Sequence, residues 1–227
     1  MTERGEASEE ASAVWVRRWR EGRIGFHSDG PQPLLARYWP LIEASEAAAV
    51  LLPLCGRSGD IDWLARRGHP VLGVELVREA VEQWFERCGD AGFHLTRRPG
   101  FERFEQPAAG GRASVTLDAG NFFHLEPART AHIGAFHDRA ALVALPAAPR
   151  RRYAHHLACL LAPASVGLLI AVEHTGAHRD GPPFSVDADE IRVLFAPNFR
   201  IEHLGARRDA RGLLETAWRL TRKSPCL

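Results

Sequence analysis

The chain has few cysteines and almost no net charge, and it has no long apolar run. Four cysteines occur in 227 residues, and Cys55, Cys88, Cys159 and Cys226 form neither a C-x-x-C pair nor a metal-ligand spacing. That argues against a structural metal site and a disulfide framework, so no metal is expected and the thiols are read as free in a reducing cytoplasm. A formal net charge of +1 removes any overall electrostatic case for a nucleic-acid or membrane partner. No apolar run approaches the ~20 residues of a membrane span. The opening MTERGEASEEASA is acidic and polar, with no apolar stretch of the secretory kind, and residues 1–13 read as a disordered tail. No internal repeat or low-complexity block is present. The remaining 45% hydrophobic and 25% charged content is that of an ordinary globular chain, long enough for one core and short for two.

One stretch is far more informative, VLLPLCGRSGDIDWLARRGHPVLGVE, from Val50 to Glu75. An apolar run, Val50–Leu54, enters a turn of small residues. A helical pattern follows with Ile61, Leu64 and Ala65 on one face, and Gly68 is placed to end it. A second apolar run, Val71–Val74, terminates on Glu75. This reads as a strand–turn–helix–strand unit whose second strand presents an acid about 20 residues after the turn. In open α/β sheets that geometry receives a nucleoside, the acid taking the ribose hydroxyls. The turn contains Gly56 and Gly59 but no G-x-G-x-x-G and no Lys-Ser/Thr ending, so the signal for a pyrophosphate is weak. The spacing favours S-adenosylmethionine over NAD. It also leaves open a βαβ unit with no ligand.

The rest of the chain alternates strand and helix. Val14–Arg20 reads as a short helix with Trp15 and Trp19 on one face. Val77, Ala80, Val81, Trp84, Phe85 and Cys88 form a helical stripe. Arg97–Gln106 and Ser114–Leu117 read as two strands, and Ile133–Phe136 as a third, ending at His137-Asp138-Arg139. Arg150–Leu161 reads as a helix with Arg150, Arg151, Arg152, His155 and His156 on a solvated basic face. Val166–Val172 reads as a buried central strand. Asp187 followed by Glu190 marks a helix start. Phe199–Leu204 and Leu213–Leu220 are expected to pair antiparallel, since no long helix separates them. The pattern is that of a doubly wound α/β domain.

Four motifs in order carry a resemblance. PLCGRSGDIDWLARRGHPVLGVEL resembles the cofactor motif of the thiopurine S-methyltransferase family. Trp15-x-x-x-Trp19 with Gly25-Phe26-His27 is similar to its amino-terminal segment. Asn121-Phe122-Phe123 and Asp138-Arg139-Ala140-Ala141-Leu142-Val143 resemble its middle motifs, and Gly181-Pro182-Pro183-Phe184 its late loop. The resemblance implies a class I, Rossmann-like methyltransferase: a mostly parallel seven-stranded sheet with an antiparallel C-terminal hairpin, in one domain over residues 14–223. It implies S-adenosyl-L-methionine as cofactor. It implies methyl transfer to the sulfur of thiopurines or other aromatic thiols, selenium and tellurium compounds included.

By the same resemblance the cofactor-binding residues are Trp15, Trp19, Leu54, Gly56, Glu75, Asn121, Phe122 and Arg139. Phe26, Arg139 and Phe184 are implied on the substrate side, and Arg139 is the catalytic candidate. Asn121 stands where bacterial family members commonly have Asp. Asp138 is expected to pair with Arg139 rather than act as a base. A monomeric, cytoplasmic enzyme acting on a small molecule is expected. The rival readings are an NAD-linked oxidoreductase and a nucleoside-binding module without catalysis.

Overall fold

The computed structural model describes residues 13–23, 30–88, 92–174, 181–209 and 211–224. Helix α1 covers 13–20. Short helix α2 (Pro33–Tyr38) precedes strand β1 (Ala49–Pro53), which leads into α3 (Gly59–Ala65), β2 (Val71–Glu75) and α4 (Arg78–Arg87). A hairpin of β3 (His94–Arg98) and β4 (Phe101–Gln106) comes next, then β5 (Val115–Gly120) and β6 (Ile133–Arg139). Helix α5 (Ala147–Leu160), β7 (Val166–Glu173), α6 (Ala188–Phe195) and the pair β8 (Phe199–Arg208) and β9 (Leu214–Arg222) complete the chain. All strands join one sheet in the order β3-β4-β5-β2-β1-β6-β7-β9-β8.

Alternation along the strands explains the layers. Val50 and Leu52 face one side with Leu168 and Ile170, where Leu35, Ile61, Leu64, Val81 and Trp84 of α2, α3 and α4 cover them. Ala49, Leu51 and Val74 face the other side, covered by Tyr153, Leu157, Ile191 and Phe195 of α5 and α6. The sheet is therefore doubly wound, as the sequence pattern indicates. Among the described residues, no helix is long and apolar enough to cross a membrane.

Two expectations about the sheet are corrected. Among the described residues it has nine strands rather than seven, and it is not mostly parallel. Four neighbouring pairs run parallel and four antiparallel. The cause lies in Arg97–Gln106, read as one strand but broken at Pro99-Gly100, where Gly100 adopts a φ of +74° and turns the chain back on itself. Strand β4 is then fastened to β5 by Arg103, whose Nε and Nη2 donate to both oxygens of fully buried Asp118 at 2.7 and 2.9 Å. The C-terminal pair β8–β9 is antiparallel.

Chain order runs outward from β1 in both directions, to β2 and β5 on one side and to β6 and β7 on the other. Ligands of open α/β sheets bind beyond the carboxyl ends of the strands at such a reversal.

Candidate active site

A cavity of about 760 Å³, open solvent included, lies at that reversal. The turn after β1 contributes Leu54, Cys55, Gly56 and Ser58, and the end of β2 contributes Glu75 and Leu76. Arg139 and Ala140 come from the end of β6, Val143 and Ala144 from the turn beyond it, and Pro182 and Pro183 from the loop after β7. Trp15 and Trp19 of α1 close one side.

The turn after β1 is held tightly. Gly56 has a φ of +53°, and a Cβ built there would lie 3.3 Å from the Trp19 ring. Trp19 also packs on Val77 and Ala80 at the start of α4. Two non-glycine residues of the cavity wall, Leu54 (φ 49°) and Ala140 (φ 69°), occupy the left-handed region. That conformation costs roughly 1–2 kcal/mol for a residue with a Cβ. Ser58 caps α3 by accepting from Asp60 N at 3.1 Å.

Glu75 is buried, and each of its two oxygens accepts from a backbone N–H. Gly56 N donates to Oε2 at 2.8 Å and Val77 N to Oε1 at 2.8 Å. Burial pushes this carboxyl above its ordinary value, against the pull of these backbone donors. Each oxygen retains further acceptor capacity. Cys55 lies beside it, and burial together with the Glu75 charge pushes the thiol well up. A protonated, buried thiol is a packing group rather than a nucleophile. It fills the space that Gly73 leaves open, since a Cβ on Gly73 would fall 2.7 Å from Cys55 Sγ.

Arg139 is half-buried and lines the cavity. Among the described residues, no carboxylate lies within ion-pair distance of it. The expected pairing with Asp138 does not form, because successive strand residues point to opposite faces. Asp138 instead accepts from Tyr153 Oη at 2.7 Å and from Leu142 N at 3.2 Å. Burial raises its carboxyl from an ordinary 3.8 to about 6, with the Tyr153 hydrogen bond opposing the shift.

Below the cavity, His137 presents Nε2 to Asp60 Oδ2 at 3.1 Å and Nδ1 to Leu168 O at 3.2 Å. Asp60 also accepts from Gln32 N at 2.7 Å. Burial pushes the Asp60 carboxyl up, but the His137 hydrogen bond and the charges of His137 and Arg139 outweigh it and hold it below its ordinary value. Neither Asp60 nor His137 was singled out from sequence, since the partners are 77 residues apart.

Of the residues implied from sequence, Trp15, Trp19, Leu54, Gly56, Glu75 and Arg139 meet at the cavity. Phe26 lies outside the described residues. Asn121 and Phe122 follow β5 and do not line the cavity. The Asn121 side chain accepts from Phe123 N at 2.9 Å. Phe122 is buried against Tyr153 and His156. Phe184 lies next to the cavity-lining Pro183, its N–H bonded to Val143 O at 2.7 Å.

The fold is that of solved class I methyltransferases. A solved structure of Burkholderia thailandensis 1,6-didemethyltoxoflavin-N1-methyltransferase, with bound 1,6-didemethyltoxoflavin and S-adenosylhomocysteine, superposes with a TM-score of 0.67. It is 18% identical, with 99% of this chain and 92% of that one covered. Magnesium protoporphyrin IX methyltransferase from Synechocystis gives a TM-score of 0.61 at 14% identity, covering 98% of each chain.

Sequence comparison is more specific. Residues 10–223 match the family described as Thiopurine S-methyltransferase. The Thiopurine S-methyltransferase of Xanthomonas campestris pv. campestris (strain 8004) is 41% identical over 193 residues, 85% of each chain. That of Bordetella petrii is 44% identical over 183 residues, 80% of each chain. The chain belongs to the thiopurine S-methyltransferase family. It is a methyltransferase, and S-adenosylmethionine is its cofactor.

Proposed function

We propose that the chain methylates the sulfur of thiopurines or other small aromatic thiols, with selenium and tellurium compounds within its range. The observation that carries this reading is Arg139. It is a guanidinium with no carboxylate within ion-pair distance among the described residues, though its charge acts on Asp60, and it is set in the same cavity as Glu75. Among the described residues Arg139 is the one cation lining the cavity, and a cation between mostly apolar walls suits a flat, soft anion such as an aromatic thiolate.

The residues present fit S-adenosylmethionine. Glu75 is a buried carboxylate with acceptor capacity to spare for two ribose hydroxyls. Gly56 keeps the turn free of a side chain where a Cβ would crowd Trp19. The bound cofactor supplies an activated methyl group. Leu54 is assigned a backbone contact to it, and the faces of Trp15 and Trp19 suit a cation. Asn121 has its amide nitrogen left for a base edge, whereas Phe122 is committed to the core. Arg139 holds the acceptor sulfur in line, and the apolar walls exclude water. A thiol of this kind needs little help from a base, which agrees with a site that contains no paired carboxylates among the described residues. The catalytic domain is assigned to residues 14–223.

Radiolabelled methyl transfer to a panel of thiopurines, aromatic thiols and selenols tests the reading. Transfer to at least one sulfur acceptor is expected. Cofactor binding without transfer to any of them would overturn the substrate assignment. Neither NAD chemistry nor a silent binding module gains support from any feature of the site.

A further inference from the structure

We propose that Arg150 is a positioning residue that sets the acceptor-side wall of the cavity. The inference rests on the reading above, in which Arg139 meets the acceptor, and it takes Val143, Ala144, Pro182 and Pro183, which line the same cavity, as the wall on that side.

A run of arginines and histidines on a helix reads as a solvated face, and the structure corrects this for Arg150. Its residue is only 3% exposed. It sits in the first turn of α5, where the helix dipole disfavours a cation, so helix stability does not account for it. The guanidinium reaches three separate segments. Nε donates to Leu145 O at 2.9 Å, at the end of the turn carrying Val143 and Ala144. Nη1 donates to Ser185 O at 3.2 Å, just past the Pro182-Pro183 loop. The same Nη1 meets Glu190 of α6 at 2.8 and 2.7 Å.

The two halves of this wall lie about 40 residues apart in sequence, and among the described residues no strand pairing joins them. One backbone hydrogen bond does, from Phe184 N to Val143 O. Arg150 spans the same gap with a planar fork, and its guanidinium carbon lies 5.9 Å from the centre of the Phe184 ring. Ser185 is fixed further by His174 N, which donates to its hydroxyl at 3.1 Å. Arg150 does not line the cavity, so it acts through the residues that do. Glu190 fixes the guanidinium instead of turning back to cap its own helix, and Asp187 alone supplies that cap.

The test compares wild type with Arg150→Lys, Arg150→Met and Glu190→Gln. A lysine keeps the charge but cannot reach three segments at once. With Arg150→Lys, the acceptor KM should rise about tenfold while cofactor affinity stays within about twofold. Glu190→Gln, which leaves both backbone acceptors in place, should change the KM by about threefold or less. Hydrogen exchange supplies a readout without turnover. The Phe184 and Val186 amides should exchange faster in both Arg150 variants, and those of Gly56 and Val77 at the wild-type rate. Unchanged exchange at Phe184 would overturn the proposal, as would equal acceleration at Gly56 and Val77, which would mark a general loss of fold. If wild type methylates no thiol, the substrate reading fails alone, and the exchange data still decide whether Arg150 holds the wall.

Discussion

Trp19 rests on the backbone of Gly56, so the amino-terminal helix touches the very turn that opens the cavity. A Cβ at residue 56 would meet the indole at 3.3 Å in a conformation that only glycine adopts freely. Gly56→Ala should therefore cost roughly 1–2 kcal/mol of stability and weaken S-adenosylmethionine binding together with it. Trp19→Ala should spare the turn but release α1 from Val77 and Ala80. Thermal melts beside calorimetry check both; an alanine at 56 that binds the cofactor normally would show that the turn tolerates a side chain.

Glu75→Ala should lower cofactor affinity at least about tenfold, from the loss of charge-assisted hydrogen bonds worth ~1.5–3 kcal/mol each. It should also lower thermal stability, because Gly56 N and Val77 N lose their shared acceptor. Calorimetry with S-adenosylmethionine is the measurement. An unchanged dissociation constant would remove Glu75 from the cofactor site.

Arg139→Ala should reduce turnover by about tenfold to a hundredfold, as expected for one electrostatic contact of ~1.4–2.7 kcal/mol in the transition state. Its thermal stability should change little, since Asp138 is satisfied by Tyr153 and Leu142. Arg139→Lys should recover activity only in part. Turnover with an aromatic thiol, set beside cofactor affinity, distinguishes the roles, and full turnover in the alanine variant would exclude Arg139 from the chemistry.

Asp138 predicts a pH dependence of stability. Its carboxyl is raised from 3.8 to about 6 in the folded protein, so the folded state holds this proton more tightly than the unfolded chain. That contribution is complete below the unfolded value and is lost as pH rises through about 6. A shift of about two units corresponds to ~3 kcal/mol. Wild type should lose stability relative to Asp138→Asn between about pH 4 and 7, then run parallel to it. Asp60 shifts the other way but is present in both proteins and cancels. Denaturant titrations across that range decide the matter; parallel curves throughout would mean that Asp138 is ionised in the fold.

The sequence made the central unit legible because its signals are local. The apolar runs around Cys55–Gly59, the helical face of Ile61 and Leu64, and the acid at Glu75 all lie within 26 residues. The β3–β4 hairpin was missed for the opposite reason. Every residue of β3 is exposed, so it shows no alternation of burial, and only Pro99-Gly100 betrayed the break. Asp138 and Arg139 were paired by adjacency, although strand geometry separates neighbours. Arg150 was unreadable, since nothing in a run of three arginines tells which one turns inward to meet carbonyls and a carboxylate from other segments. Asn121 and Phe122 carry no local signal that separates a turn cap and a core ring from ligand contacts.

The left-handed residues at Leu54 and Ala140 bear on engineering. Glycine would relieve the backbone at either position, with little packing to lose at Ala140 but a half-buried side chain against the core to lose at Leu54. The same substitutions would free the two points where β1 and β6 hand the chain over to the cavity wall. At Ala140, heat tolerance and a well-defined mouth pull in opposite directions.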